Sequence, residues 1–313
     1  MGRGIAHSFA YAGHEVRLID AKPRAEADQK RLADETLAEV RGSLKLMAGL
    51  GAFDASAIEA IMARVSVHAS SETDNALAGI RYVFEAVPET VEAKHAALAL
   101  IDQAAATDAI VASTTSTFLS TQLSGYSGRP ARFLNAHWLN PAFIVPLIEL
   151  SPTPDTDRAV VDEFGALLTS VGKVPVECAA SPGYIVPRIQ TLAMNEAARM
   201  VEEGVATTED IDKAVKYGFG FRFAVLGLLE FIDWGGGDIL FYASRYLSGA
   251  MNDPRFEAPE IVNKNMVEGR NGLRDGKGFY DYTAMDVPAY RQQRLSEFLK
   301  MLEQTGLSRP PVL

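Results

Sequence analysis

The sequence predicts an α/β protein: a doubly wound, parallel-sheet domain followed by an all-α domain. Up to about residue 180, short apolar strand runs alternate with segments of helical period, the pattern of strand–helix–strand crossovers. Beyond Ser181-Pro182-Gly183 no convincing strand run appears and the helical period dominates. A length of 313 residues suits one large domain or two ordinary ones at a prior of ~150 each, and the change at Ser181-Pro182-Gly183 puts residues 1–180 in the first domain and 181–313 in the second.

Residues 5–12 have helical period and stop at Gly13-His14, and Glu15-Val16-Arg17-Leu18-Ile19-Asp20 alternates as a strand ending on an acid. These two elements form the second half of a βαβ unit. No strand precedes them, since Met1-Gly2-Arg3-Gly4-Ile5-Ala6 runs straight into the helix. A sheet lacking its first, central strand would leave edge groups of two neighbours unpaired, at ~1–3 kcal/mol per buried group.

Residues 26–50 and 56–64 read as helices, residues 81–87 as a strand, 90–105 as a helix and 109–113 as a buried strand. Residues 133–137 and 146–150 are two apolar strands around a proline-containing loop. A helix over 158–171 and a strand over 174–178 complete the first domain. In the second, residues 184–203 are strongly helical, and Thr207-x-x-Asp210 resembles a capping box before a helix over 211–217.

Thirty Lys and Arg against forty Asp and Glu leave a net charge of −10, which repels phosphate backbones and anionic lipid and argues against nucleic acid or a membrane as partner. No run approaches the ~20 apolar residues of a membrane span, and no leader pattern opens the chain. The single cysteine, Cys178, excludes an internal disulfide, and no cysteine cluster suggests structural zinc. A reducing, cytoplasmic setting without a metal is expected.

A dinucleotide site needs glycines where a strand turns into a helix, so that amides at the helix N-terminus approach the pyrophosphate, and an acid ~20 residues on for the ribose. Gly2 and Gly4 open the first helix and Asp20 closes the following strand; the two glycines also suit ordinary close packing. The Asp20 carboxylate favours NAD over NADP because it accepts from the ribose hydroxyl and repels a 2′-phosphate.

Of five histidines, those at 7, 14, 68 and 95 carry no assigned role. His137 ends an apolar strand, precedes Asn140-Pro141 and stands twelve residues before Glu149 in the next strand. A hairpin-like return over that spacing can bring imidazole and carboxylate together, and the carboxylate then fixes the tautomer and raises basicity. A satisfied histidine beside a strand-edge glutamate fits the same spacing. Ser113-Thr114-Thr115-Ser116-Thr117 follows a buried strand, either as a ligand loop at the carboxyl edge of the sheet or as a helix cap. The Met and Phe residues of the second domain read as core and interface.

In order along the chain, Met1-Gly2-Arg3-Gly4-Ile5-Ala6, Phe84-Glu85-Ala86-Val87-Pro88-Glu89 with Lys94, Ala112-Ser113-Thr114-Thr115-Ser116, His137-Trp138-Leu139-Asn140-Pro141, Glu149, Ser181-Pro182-Gly183-Tyr184-Ile185-Val186 and Gly276-Lys277-Gly278-Phe279-Tyr280-Asp281-Tyr282 line up with one family. Over nearly its whole length the chain resembles the 3-hydroxyacyl-CoA dehydrogenase superfamily. The resemblance implies a Rossmann-type NAD domain, its first strand missing here, and a helical domain that closes the cleft and forms a homodimer. It implies that His137 takes the proton of a 3-hydroxyl while the hydride goes to the nicotinamide, with Glu149 orienting the imidazole. Ser116 and Asn140 would hold the substrate oxygens. Glu89 and Lys94 fall where the family contacts the cofactor ribose.

Three departures accompany the match. The first strand and earlier glycines of the fingerprint are absent, so either the start codon is misassigned or the pyrophosphate loop is incomplete; the expectation is that in-frame upstream codons encode a strand with Gly-x-Gly. Pro187 stands where acyl-CoA members carry an asparagine, a position at which proline is structurally harmless. Gly220-Phe221-Arg222-Phe223-Ala224 replaces the usual Pro-Met-Gly-Pro segment, as in relatives that oxidise free hydroxy acids such as L-gulonate or carnitine. Arg222 is there a candidate bidentate carboxylate anchor, its plain alternative being a surface or interdomain ion pair. The expected activity is NAD-dependent oxidation of a short-chain 3-hydroxyacyl-CoA of the 3-hydroxybutyryl type, with a free 3-hydroxy acid as the alternative substrate. A non-catalytic role like that of the family's crystallins is disfavoured by the intact His137, Glu149, Ser116 and Asn140.

Overall fold

The computed structural model describes residues 1–312, which form two compact units, Met1–Met194 and Asn195–Leu313. The first begins with helix α1 (Gly2–Tyr11), strand β1 (Val16–Ile19), helices α2 (Glu26–Gly49) and α3 (Ile58–Met62), and strand β2 (Val65–His68). Helix α4 (Thr73–Leu77), β3 (Tyr82–Glu85), α5 (Val91–Ala104), β4 (Ile110–Ser113) and α6 (Ser120–Ser124) follow. Then come β5 (Phe133–Trp138), β6 (Leu147–Pro152), α7 (Arg158–Ser170), β7 (Val174–Glu177) and α8 (Val186–Glu202). The sequence reading lacks β2, whose four residues contain only two apolar ones.

The strands lie in two sheets, β1-β2 and β3-β4-β5-β6-β7. The division between them falls beside the start of α1, where a Cβ on Gly2 would lie 3.6 Å from Ala86, just past β3, and 3.9 Å from Leu18 of β1. Among the described residues no strand pairs with both β1 and β3.

The β1–β2, β3–β4 and β4–β5 pairs are parallel, but β6 runs antiparallel to β5, with β7 parallel to β6. The parallel pairs follow the strand–helix alternation, and the antiparallel pair is the hairpin-like return expected between His137 and Glu149. The reason is the short connection over residues 139–146, which cannot make a crossover of a dozen or more residues.

Period-two alternation assigns each strand residue to a face. Ile110, Ala112, Leu134, Ala136, Trp138, Ile148 and Leu150 pack with Ile5 and Phe9 of α1 and Phe164 of α7. Val111 and Phe133 pack on the other face with Leu98 and Ile101 of α5. His137, in step with Phe133 and out of step with Trp138, therefore lies on the α5 face. The antiparallel register sets Glu149 directly opposite it.

In the second unit α9 (Thr208–Ala214) is capped by Thr207, whose hydroxyl accepts from Asp210 N–H at 3.1 Å, as the Thr207-x-x-Asp210 reading expects. A π-turn (Val215–Gly220) leads into α10 (Phe221–Phe223), α11 (Leu228–Gly235), α12 (Gly237–Met251), α13 (Glu260–Val267) and α14 (Val287–Gln304). The glycine-rich segment around Gly278 is held by the buried Asp233 of α11. Its carboxylate accepts from the Phe279 and Tyr280 amides at 2.9 Å each and from the Tyr282 hydroxyl at 3.1 Å. A Cβ at position 278 would stand 2.0 Å from Asp233 Oδ1, so only glycine fits.

Asp233→Ala leaves three donors without this acceptor, of which the Tyr282 hydroxyl is in a buried bond, and should lower stability by at least ~1–3 kcal/mol, the range for one orphaned buried donor. Denaturant titration reads this directly, and a midpoint unmoved from wild type would show that the carboxylate does not hold the segment.

Candidate active site

The antiparallel pairing of β5 and β6 makes the central contact. His137 Nδ1 lies 2.8 Å from Glu149 Oε2, with the imidazole almost buried and Glu149 without exposed surface. A carboxylate only accepts, so Nδ1 carries a hydrogen, and Nε2 has no hydrogen-bond partner among the described residues. The other oxygen, Glu149 Oε1, accepts from the Ile185 and Val186 amides at 2.8 Å each, at the N-terminus of α8. A buried carboxylate is costly unless every lone pair is matched, and here a helix N-terminus supplies the matching donors and a favourable dipole.

Tyr184, which sequence reasoning did not assign, stacks on the other side of the site. Its ring lies 4.7 Å from the His137 ring at an interplanar angle of 11°. Its hydroxyl accepts from Asn135 Nδ2 at 3.0 Å and donates to Thr115 O at 2.8 Å. Burial pushes this phenol well above its ordinary range, so it remains a donor. The Tyr184 backbone has φ +46°, a left-handed conformation uncommon outside glycine, tolerated because the three contacts fix the residue. The available signal was its place directly after Gly183 in Ser181-Pro182-Gly183-Tyr184.

The carboxyl edges of β3 and β4 contribute a second cluster. Glu89 accepts from the Ser116 amide at 2.9 Å and from the Thr115 and Thr117 hydroxyls at 2.7 and 3.1 Å; the Ser116 hydroxyl is turned toward it at 3.5 Å. The Ser-Thr run thus wraps a carboxylate rather than capping a helix. Burial pushes the Glu89 carboxyl up, but the Ser116 amide, the Thr115 hydroxyl, Lys94 and the Thr117 hydroxyl outweigh it and hold it below its ordinary value. Lys94 is completely buried. Its ammonium lies 3.1 Å from Glu85 Oε1 and 3.8 Å from Glu89 Oε2, while Glu85 also accepts from Ser113 Oγ at 2.5 Å. Lys94 therefore reaches the surface only through Glu89. Tyr184, bonded to Thr115 O and stacked on His137, joins the two clusters.

Asn140 lies exposed just beyond β5. Arg222 is exposed, donates from Nε to Gly218 O at 2.9 Å, and sits over the Phe231 ring at 4.9 Å. It makes no ion pair among the described residues.

The residues at the start of the chain fit a dinucleotide. The Gly4 and Ile5 amides turn back onto Met1 O, which leaves those of Gly2 and Arg3 as donors at the α1 N-terminus. Gly4 also has a packing reason, since a Cβ there would lie 2.9 Å from Ala142 Cβ. Asp20 follows β1 at the carboxyl edge, where it accepts from Lys22 N at 3.2 Å and pairs with Arg24. No group of three or more metal-ligating side chains occurs among the described residues, and no helix among them is long and apolar enough to cross a membrane.

Glu85→Ala strands the Lys94 ammonium in the core and should cost about 3–5 kcal/mol, the range for breaking a buried pair. The paired change Glu85→Leu with Lys94→Met should recover most of it in the same denaturant titration. Equal stability of the single variant and wild type would contradict the anchoring role.

Residues 1–181 match the 3-hydroxyacyl-CoA dehydrogenase NAD binding domain and residues 183–282 its C-terminal domain. A probable 3-hydroxybutyryl-CoA dehydrogenase of Bacillus subtilis is 30% identical over 283 residues, covering 90% of this chain and 94% of the relative. The 5-formyl-3-hydroxy-2-methylpyridine 4-carboxylate 5-dehydrogenase of Mesorhizobium japonicum is 29% identical over 297 residues, covering 94% and 91%. The crystal structure of a 3-hydroxyacyl-CoA dehydrogenase from Archaeoglobus fulgidus aligns with a TM-score of 0.75 at 28% identity, covering 98% of this chain and 96% of that one. The split α/β sheet, the helical second unit and the His137–Glu149 pair thus stand in a chain that belongs to the 3-hydroxyacyl-CoA dehydrogenase family of NAD-dependent oxidoreductases.

Proposed function

We propose that this chain oxidises the 3-hydroxyl of a short-chain 3-hydroxyacyl-CoA, of the 3-hydroxybutyryl-CoA type, to the 3-keto product. The observation that carries the reading is the 2.8 Å contact of His137 Nδ1 with a Glu149 carboxylate whose remaining oxygen is held by two amides. It leaves Nε2 as the free base. His137 Nε2 accepts the hydroxyl proton, and Glu149 stabilises the imidazolium that results; in reverse the same ring is the acid. Bound NAD supplies the hydride acceptor. Ser116 and Asn140 hold the substrate oxygens, a positioning effect that fails with errors of about 1 Å. For the cofactor, Gly2 and Arg3 amides meet the pyrophosphate, Asp20 accepts from a ribose hydroxyl, and Glu89, kept ionised and backed by Lys94, accepts from the other.

In this reading residues 1–180 bind the cofactor, and residues 181–313 bind substrate and pair with a second copy. The exposed side chains of Ile239, Tyr242 and Tyr246 along α12 support a homodimer. A half-buried single Cys178 supports a cytoplasmic, reducing setting.

A second reading keeps the mechanism and replaces the thioester by a free 3-hydroxy acid. Arg222, exposed and without an ion pair, favours it as a carboxylate anchor, as does the pyridine carboxylate named for the Mesorhizobium relative.

The test follows NADH consumption with acetoacetyl-CoA beside acetoacetate and 3-dehydro acids. The expected result is preference for the thioester, with His137→Ala lowering turnover by ~10²–10⁴ and sparing NAD binding. Activity with free acids alone, lost through a large rise in Michaelis constant in Arg222→Ala, would overturn the thioester reading; turnover unchanged in His137→Ala would remove that residue from the mechanism.

A further inference from the structure

Lys173, between α7 and β7, is buried, and no carboxylate pairs with it among the described residues. Its ammonium donates to Ala142 O at 2.6 Å and to Val145 O at 3.0 Å, and lies 5.4 Å from the centre of the Trp138 ring. Those three partners bracket the turn over residues 139–146. Trp138 directly follows His137, and Ala142 comes two residues after Asn140. Within the turn, Ile144 and Val145 amides both return to Pro141 O at 2.9 Å, while Val174 N–H of β7 donates to Pro146 O at 2.9 Å.

The same turn is gripped from α1. The single Ser8 Oγ hydrogen lies between Gly4 O at 3.1 Å and Ala142 O at 3.3 Å, Phe143 stacks on His7 with ring centres 4.8 Å apart, and Gly4 leaves room for Ala142. Burial and the nearby Lys173 charge push His7 down to about 4, so the ring facing the ammonium from α1 is neutral near pH 7 and does not repel it. Burial likewise pulls the Lys173 ammonium below its ordinary value. The two carbonyls therefore hold the ammonium, and an apolar side chain at 173 would leave Val145 O without this donor and Ala142 O with only its longer Ser8 contact.

We propose that Lys173 is a positioning residue for the reaction: by tying Ala142 O and Val145 O together against Trp138 it fixes Asn140 relative to His137. Ser8 does the same from the cofactor helix with a single weaker bond. The inference rests on the reading of His137 as the base and Asn140 as a substrate contact.

Lys173→Met keeps the stem and removes the donors. Measured on the substrate that wild type reduces best, turnover should fall about tenfold or more, because misplacement by about 1 Å costs up to ~10². The NADH dissociation constant, read by fluorescence, should change by less than about threefold, since the α1 amides are untouched. Turnover within about twofold of wild type, or turnover and NADH affinity falling together, overturns the proposal. If the methionine variant does not fold, Ser8→Ala decides: turnover lowered with NADH affinity kept supports the turn's role, and turnover unchanged overturns it. If wild type reduces none of the substrates, the proposed reaction has failed. The positioning is then read from crystal structures of wild type and either variant. A shift of Asn140 relative to His137 beyond about 0.5 Å supports it, and superposition overturns it.

Discussion

Glu149 is the group on which the site depends. It is a buried carboxylate in the middle of a sheet, and such a charge is tolerated only when each oxygen is matched by donors. One oxygen takes the His137 ring and the other takes two amides at the start of α8. The arrangement joins β5, β6 and the segment leading into α8 at a single point. It also explains why the chain passes through Ser181-Pro182-Gly183-Tyr184 in a tight turn: the amides of Ile185 and Val186 must face back toward the sheet, and the strained Tyr184 is the hinge that turns them.

Around that carboxylate, two further devices hold loops that would otherwise have little to fix them. Buried Glu85 and Lys94 brace Glu89, and Glu89 draws the Ser-Thr run after β4 into a ring of donors. Asp233 performs the same service for the glycine-rich segment of the second unit. In each case an ionised side chain in the core orders backbone at a surface. The sheet supplies rigid positions; the charges determine what the connecting segments present.

Much of this was legible in the sequence, and the physical reasons for the remainder are specific. Apolar runs such as those at 109–113 and 133–137 announce buried strands through their length and content. The twelve-residue step from His137 to Glu149 pointed to a hairpin, and the antiparallel register makes it one. β2 escaped because four residues with two apolar ones resemble a loop as much as a strand. Tyr184, Glu85 and Lys173 escaped because their importance lies in partners distant in sequence. A lysine before a strand reads as solvated until the fold closes over it, and nothing local distinguishes Glu85 from the exposed Glu89 four residues later. Asp20 and Gly2 were visible only as half a motif, and the packing reason for Gly4 required knowing that Ala142 lies against it.

The central claim is that Glu149 holds the Nδ1–H of His137 and so leaves Nε2 as the nitrogen that exchanges the proton. Nitrogen-15 NMR of the wild-type chain labelled in histidine reads this without substrate or cofactor, and His137→Gln assigns the resonance. At a pH where the ring is neutral, a pyrrole-type Nδ1 and a pyridine-type Nε2 are the predicted pair, in line with a carboxylate that can only accept. A ring protonated on Nε2 alone would contradict the account, because the base would then face the carboxylate instead of the substrate.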